Sequence, residues 1–310
     1  MLSVIIPTYK RLDSLAILLE KLNLQTVIDQ IEILIIDQNE KDFIHQEILN
    51  ISRNIRQVYQ DKPNVSLARN NGYKEAKAEY LLFIDDDLEP EQDFCQKGIS
   101  FFEKNEEVEC FCPLVYNDNG KEIEMEKMKQ NIVSKYKHFY KINNTISAAL
   151  FIKSETYIKS GGFDPYLFDY VKSTEDNEFF IRLKKHNVNI YYDSNIDIFH
   201  SEEIIGGCSL REDDYWNNRK KFIKGWAFRY RVHNGNNLKL NLMNIVALCR
   251  SSFLNSELFK RNPLDTIKLI KNLINGLVDS GLYLKDLKDY YKNGWRTNHL
   301  KQYHEDSLCR

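Results

Sequence analysis

No stretch of this 310-residue chain approaches the roughly 18 consecutive apolar residues of a membrane-spanning helix, so the sequence offers no candidate span. Nor does it open with a basic segment followed by a removable apolar stretch. Met1-Leu2-Ser3 leads directly into a strand-like run, and a cytoplasmic setting is the expectation. The six cysteines form no C-x-x-C pair, and Cys110 and Cys112 alternate as they would in a strand, which points to buried thiols rather than disulfides. Neither charge sign dominates: 43 basic residues against 45 acidic give a net charge of -2, and nothing in that balance indicates nucleic acid as a partner. No G-x-G-x-x-G follows a strand-like run, which leaves a dehydrogenase unsupported. A Gly-rich phosphate loop is also missing after the first strand, which weakens a sugar-phosphate nucleotidyltransferase. Long Gly/Ser linkers, internal repeats and low-complexity tracts are absent too.

What is present is an alternation of strands and helices. Leu2 to Ile6 is a short apolar run that Pro7 is expected to stop. Leu15, Leu18, Leu19 and Leu22 then fall on one helical face, with Asp13 or Ser14 as the expected cap. Strands are expected at 31–36, 55–59 and 80–84, with helices over 42–53 and 66–77 between them. Nearly continuous apolar strands separated by helices imply a mostly parallel, Rossmann-like α/β sheet covered on both faces. Beyond these, strands are expected at 146–152, 188–192 and 196–199, a helix starting near 174–176, and a charged helical insertion over about 122–140.

In a parallel sheet, ligands bind beyond the carboxyl ends of the strands. Three polar clusters stand there: Thr8-Tyr9-Lys10-Arg11, Asp37-Gln38-Asn39 and Asp85-Asp86-Asp87. The third ends a buried apolar strand, where clustered negative charge is costly unless a cation or hydrogen bonds compensate it. Positions 85 and 87 share one side of an extended chain and could hold one Mg²⁺ or Mn²⁺ ion, since hard cations take oxygen ligands. The competing reading is a solvated acidic turn capping the next helix near Pro90.

The phrases SVIIPTYKR, IEILIIDQN, LARNNGYKEAKAEYLLFIDDD, GGFDP and TEDNEFFIRL occur in this order, and together they resemble inverting family 2 glycosyltransferases of the nucleotide-diphospho-sugar transferase (GT-A) fold. The similarity runs from about Leu2 to His200. It implies that Pro7, Thr8, Tyr9 and Arg11 wrap the donor nucleotide and that Asp37 hydrogen-bonds its base. A second acid often follows in the family; here it is Gln38. Arg69 and Asn70 match the segment beside the nucleotide, while Asp85, Asp86 and Asp87 match the donor-binding acidic motif, with Asp85 and Asp87 as metal ligands and His200 as a third. Asp176 matches the catalytic base, and Gly161, Gly162, Phe163 and Glu175 the acceptor side.

The resemblance implies an enzyme that moves a sugar from a nucleotide diphosphate donor to a hydroxyl of a glycan or lipid-linked glycan, in surface polysaccharide or glycoconjugate assembly. A divalent metal, Mn²⁺ or Mg²⁺, is its expected cofactor. No Q-x-x-R-W motif is found, which favours addition of a single sugar. A catalytically degenerate sugar- or nucleotide-binding protein is the non-enzyme alternative. The expected division is a catalytic domain over 1–205 and a helical extension over 206–310. In that extension Lys260, Arg261, Lys268 and Lys271 flank apolar residues and could meet a membrane surface, or the stripe could pack on its own domain.

Overall fold

The structure, a computed structural model, describes residues 1–41, 43–44, 46–117, 139–142, 147–165, 167–168, 175–201, 206–207, 225, 271–272 and 274–278. The basic stripe of the extension, other than Lys271, and most of the expected 122–140 helix lie outside these residues.

Among the described residues, nine strands form one sheet: β1 (Leu2–Thr8), β2 (Ile31–Asp37), β3 (Ile55–Tyr59), β4 (Tyr80–Ile84), β5 (Leu88–Glu89), β6 (Cys110–Tyr116), β7 (Phe139–Ile142), β8 (Ala149–Lys153) and β9 (Ile190–His200). The order is β3-β2-β1-β4-β8-β6-β9-β5, with β7 also on β9. β3, β2, β1 and β4 are mutually parallel, as their apolar runs predict. On the other side of β4 the pairings β4·β8, β6·β8, β5·β9 and β7·β9 are antiparallel, so the sheet as a whole is mixed.

Among the described residues, the helices that accompany the sheet include α1 (Leu12–Asn23), α2 (Gln46–Leu49), α3 (Val65–Glu75), α4 (Phe94–Lys104), α5 (Ser154–Ser160) and α6 (Glu175–Lys185). Strand alternation divides the core in two. Val4, Ile6, Ile33, Ile35, Leu82 and Ile84 face α1 and α4, packing with Leu15, Leu18, Leu22, Phe94 and Phe102. Their neighbours Ile5, Leu34, Ile36, Leu81 and Phe83 face α3, α5 and α6, packing with Ala68, Tyr157, Phe179 and Leu183. Each such buried side chain contributes about 1.5–3 kcal/mol relative to exposure.

Several boundaries differ from the sequence reading. β1 runs through Pro7 to Thr8, pairing Pro7 with Ile36, because pairing with β4 ends at Ile5 and no bond from that end is needed on the β4 side. The N-cap position of α1 is Arg11, with no side-chain cap, so neither Asp13 nor Ser14 serves. The expected 42–53 helix contracts to the single turn of α2. The two strands expected at 188–192 and 196–199 are one strand, β9, whose register against β6 shifts between Pro113 and Leu114. Phe139 and Tyr140 are in a strand rather than the expected helix.

By compactness, the chain has one unit that takes in Met1–Pro165 and Asp176–Cys208 and carries the sheet. A second takes in Tyr166–Glu175 and Ser209–Trp295, and within it residues 274–278 are helical. Among the described residues, no helix is long and apolar enough to cross a membrane.

Candidate active site

The parallel strands deliver their polar clusters to one edge of the sheet. Thr8 stands in register with Asp37, and Asp37 with Tyr59. The loop after β1 is tied to the loop after β2: Gln38 N donates to Thr8 O at 3.1 Å, and Lys10 N donates to Asn39 Oδ1 at 2.6 Å. Lys10 adopts a left-handed φ of 57°, turning the chain so that Arg11 enters the acidic cluster.

There, Arg11 Nη1 lies 3.1 Å from Asp86 Oδ1 and 2.9 Å from Asp87 Oδ2. His200 Nε2 lies 3.2 Å from the same Asp87 oxygen. The meeting is a matter of register. The two-residue strand β5, immediately after Asp87, pairs Leu88 with His200, and Ser201 N donates to Asp87 O at 3.1 Å. Asp85 is held on the other side by Arg69, whose Nη2 lies 3.0 Å from Asp85 Oδ1. Asp85 is also within electrostatic reach of His200 and Arg11.

Burial and charge set the ionisation of this cluster. Burial pushes Asp86 up to about 7, against the pull of Arg11 and a hydrogen bond from Thr8. Burial also works to raise Asp87, but its hydrogen bond and charge interaction with His200, with Arg11 beyond, hold it below the usual carboxylate range. Arg11 is desolvated, which alone would lower its pKa; the charges of Asp86 and Asp87 outweigh this and raise it.

Asp37 belongs to an adjoining cavity of about 450 Å³, lined with Lys41, Ile44, Gln46, Leu49, Gln57 and Tyr59. Its carboxylate is almost wholly buried; Oδ1 accepts from Asn39 N and Nδ2, and Oδ2 from Gln57 Nε2 at 2.7 Å. Asn39 belongs to the polar cluster expected after β2, whereas sequence reasoning missed Gln57 in this place. The strand period could have found Gln57, two positions before the end of β3. Gln38, at the position of the family's second acid, is turned into the scaffold: its Oε1 accepts from Asn64 N at 2.7 Å and Gln60 Nε2 at 3.2 Å.

The expected acceptor-side residues divide by role. Gly161 ends α5 with φ 84°, and Gly162 follows at φ 68°; their N–H groups bond back to Ile158 O and Tyr157 O, so both close a helix. Phe163 is buried, stacks on Phe179 at 4.4 Å and supports the Arg69 guanidinium 4.7 Å over its ring. Glu175 is the first residue of α6, and Asp176 follows it, half-buried, with Asn177 N donating to its Oδ1 at 2.6 Å. Among the described residues, the hydrogen bonds of the Asp176 carboxylate are to Asn177 alone; it is Phe179, one turn on, that links α6 through Phe163 and Arg69 to Asp85. A second glycine pair, Gly206-Gly207, went unnoticed in the sequence. Both have positive φ, and Gly207 N donates to Tyr9 O at 2.8 Å, which seats the segment after β9 on the β1 loop.

Among the described residues, no group of three His, Cys, Asp or Glu side chains is arranged around one point. Asp87 Oδ2 and His200 Nε2 nevertheless fit one cation. Ligands each about 2.1 Å from an octahedral ion lie about 3 Å apart, and Mg²⁺-like ions use few protein ligands, completing their shell with phosphates and water. An oxygen and an imidazole nitrogen also suit Mn²⁺.

Comparisons with known proteins lead to glycosyltransferases. An uncharacterized glycosyltransferase of Haemophilus influenzae is 27% identical over 197 residues, 59% of this chain and 62% of that protein; the match thus spans less than two thirds of the relative. S. aureus TarS 1-349 in complex with UDP-GlcNAc superposes with a TM-score of 0.64 at 16% identity, covering 99% of this chain and 92% of that one. The mannosyltransferase PcManGT from Pyrobaculum calidifontis in complex with GDP-Man and Mn²⁺ gives 0.57 at 14% identity, over 99% and 86%. At those identities the two structures establish a common fold, the mixed sheet flanked by helices of GT-A glycosyltransferases. The model of glycosyl transferase family 2 matches residues 3–173, over half of the chain and nearly the whole span of the β1, β2 and β4 loops that build the site, and the chain belongs to that family.

Proposed function

We propose that this chain is an inverting, non-processive glycosyltransferase that moves one sugar from a nucleotide diphosphate donor to a hydroxyl of a glycan or lipid-linked glycan. The observation that carries the reading is the meeting of Arg11, Asp86, Asp87 and His200, from three separate strand ends, at the carboxyl edge of the sheet. Such a cluster of anions and cations suits a diphosphate with its counter-ion.

Residues 1–205 serve as the catalytic domain in this reading and 206–310 as its helical extension. The nucleoside lies along Pro7, Thr8, Tyr9 and Arg11, with its base toward Asp37 and the Gln57–Tyr59 cavity. Arg69 balances Asp85 beside the ribose and diphosphate. Asp87 and His200, with Asp85 nearby, hold Mn²⁺ or Mg²⁺. When bound, that ion supplies positive charge where the departing diphosphate gathers negative charge.

Asp176 accepts the proton that the acceptor hydroxyl loses as it attacks the anomeric carbon on the face opposite the diphosphate. Single displacement from that face inverts the anomeric configuration. Phe179, one turn after Asp176 on α6, stacks on Phe163, which carries the Arg69 that pairs with Asp85, and this support for α6 is consistent with a base on its first turn. UDP-GlcNAc and GDP-Man, the donors in the two similar structures, are the first to test.

The decisive experiment pairs transfer with binding. Asp176→Asn is expected to bind donor as the parent does and to lose transfer by at least about a hundredfold, the usual scale of a general base. Undiminished turnover in this variant would remove Asp176 from the mechanism.

A further inference from the structure

We propose that Arg11 is an internal counter-cation that holds Asp87 until the diphosphate arrives, so that metal and nucleotide can bind tightly only together. The inference rests on the metal reading above and adds an order of events to it.

The geometry sets up a competition for one atom. Asp87 Oδ2 is 2.9 Å from Arg11 Nη1 and 3.2 Å from His200 Nε2. The same Arg11 nitrogen is 3.1 Å from Asp86 Oδ1, so one cationic hydrogen-bond donor spans two carboxylates. All three side chains are shielded: Arg11 is 11% exposed, Asp86 5% and Asp87 3%. Charges interact strongly in such a place.

Arg11 is also closely confined. It follows the left-handed Lys10, whose N–H is pinned to Asn39, and it lies against Gly207, where an added Cβ would sit 3.1 Å from Nη2 and 3.2 Å from Cζ. A cation held by Asp87 Oδ2 and His200 Nε2 would have to share that oxygen with the guanidinium. The two positive groups repel, and Arg11 must move before the ion is held well. A planar guanidinium leaves one anion most readily for another that it can grip in two places, and a diphosphate is such an anion. Donor binding therefore draws Arg11 from Asp87, and by linkage each ligand raises the affinity for the other.

The test measures free Mn²⁺ by electron paramagnetic resonance while the full chain is titrated with Mn²⁺, alone and with UDP or GDP. Arg11→Gln is expected to bind Mn²⁺ alone about tenfold or more tightly than the parent, within the usual range of coupling. Nucleotide should strengthen Mn²⁺ binding in the parent far more than in Arg11→Gln. His200→Ala in the Arg11→Gln background should cancel the gain, locating it at this site. Arg11→Lys, which keeps the charge and guards against a folding defect, should bind Mn²⁺ alone about as weakly as the parent and show less strengthening by nucleotide, since an ammonium cannot grip the diphosphate in two places. Equal affinity of the parent and Arg11→Gln for Mn²⁺ alone would overturn the inference while leaving the metal reading intact. Failure of both proteins to bind Mn²⁺ even with UDP or GDP would overturn the metal reading as well.

Discussion

Asn70 shows what a single buried amide can organise. Its Oδ1 accepts from Phe163 N at 2.9 Å and from the Tyr157 hydroxyl at 2.6 Å, and its Nδ2 donates to Phe163 O at 2.9 Å. The resemblance sets this residue in the segment expected beside the nucleotide, and its contacts put it under the Gly161–Phe163 loop, where it fixes the ring that supports Arg69. Asn70→Ala would leave three buried polar groups without these partners. The expected loss is about 2–3 kcal/mol in urea-induced unfolding, since each orphaned group costs about 1–3 kcal/mol and relaxation recovers part. Tyr157→Phe deletes the bond to Asn70 and a longer one from Phe163 N at 3.4 Å, but Phe163 N keeps Asn70 as an acceptor, so the cost should be only about 1 kcal/mol.

At the scale of an element, α6 is positioned by a buried ion pair as well as by its aromatic face. Arg182 Nη2 lies 2.6 Å from Glu178 Oε2, one turn away, and both side chains are almost fully buried. Arg182 Nη1 donates to Ser160 O at 2.7 Å, at the end of α5, so one guanidinium joins the two helices that flank the Gly161–Phe163 loop. Arg182→Met removes the cation paired with the buried Glu178 carboxylate and should destabilise by about 3–5 kcal/mol. Exchanging both, Glu178→Leu with Arg182→Met, should recover most of that loss, because apolar packing often replaces a buried pair at little cost. Urea denaturation of the two variants side by side checks both expectations. If the double variant is as unstable as the single, the bond to Ser160 matters more than the pair.

Across the whole molecule, the site depends on strands far apart in sequence sharing one sheet edge, so ligand binding should report on global stability. A nucleoside diphosphate present at about 100 times its dissociation constant adds about 2.7 kcal/mol to unfolding. UDP or GDP with Mn²⁺ is expected to raise the melting temperature by several degrees, and chelation of the metal should abolish most of the rise. Asp87→Ala should lose the metal-dependent part while keeping some response to nucleotide alone. A melting temperature indifferent to Mn²⁺ in the presence of every nucleoside diphosphate would count against the metal assignment.

The local chemistry of the chain was open to reading without coordinates. Apolar runs at 2–6, 31–36 and 80–84 predict parallel strands because strands buried on both faces carry little else, and the polar clusters after them mark the ligand edge. Carboxylates at 85–87 were legible as a site because their charge needs compensation. The resemblance alone put His200 with Asp87, and only tertiary structure decided that Arg11 joins them. Nothing near Asp87 in sequence predicts that Arg11 and His200 share its Oδ2; that follows from the pairing of Leu88 with His200 and from the left-handed turn at Lys10. Likewise, the antiparallel half of the sheet and the inward turn of Gln38 come from strand order and packing, which no local pattern encodes. The periodicity of a segment records which faces are buried, whereas the partner across the sheet is chosen by long-range register, and the chemistry of this site resides in those partners.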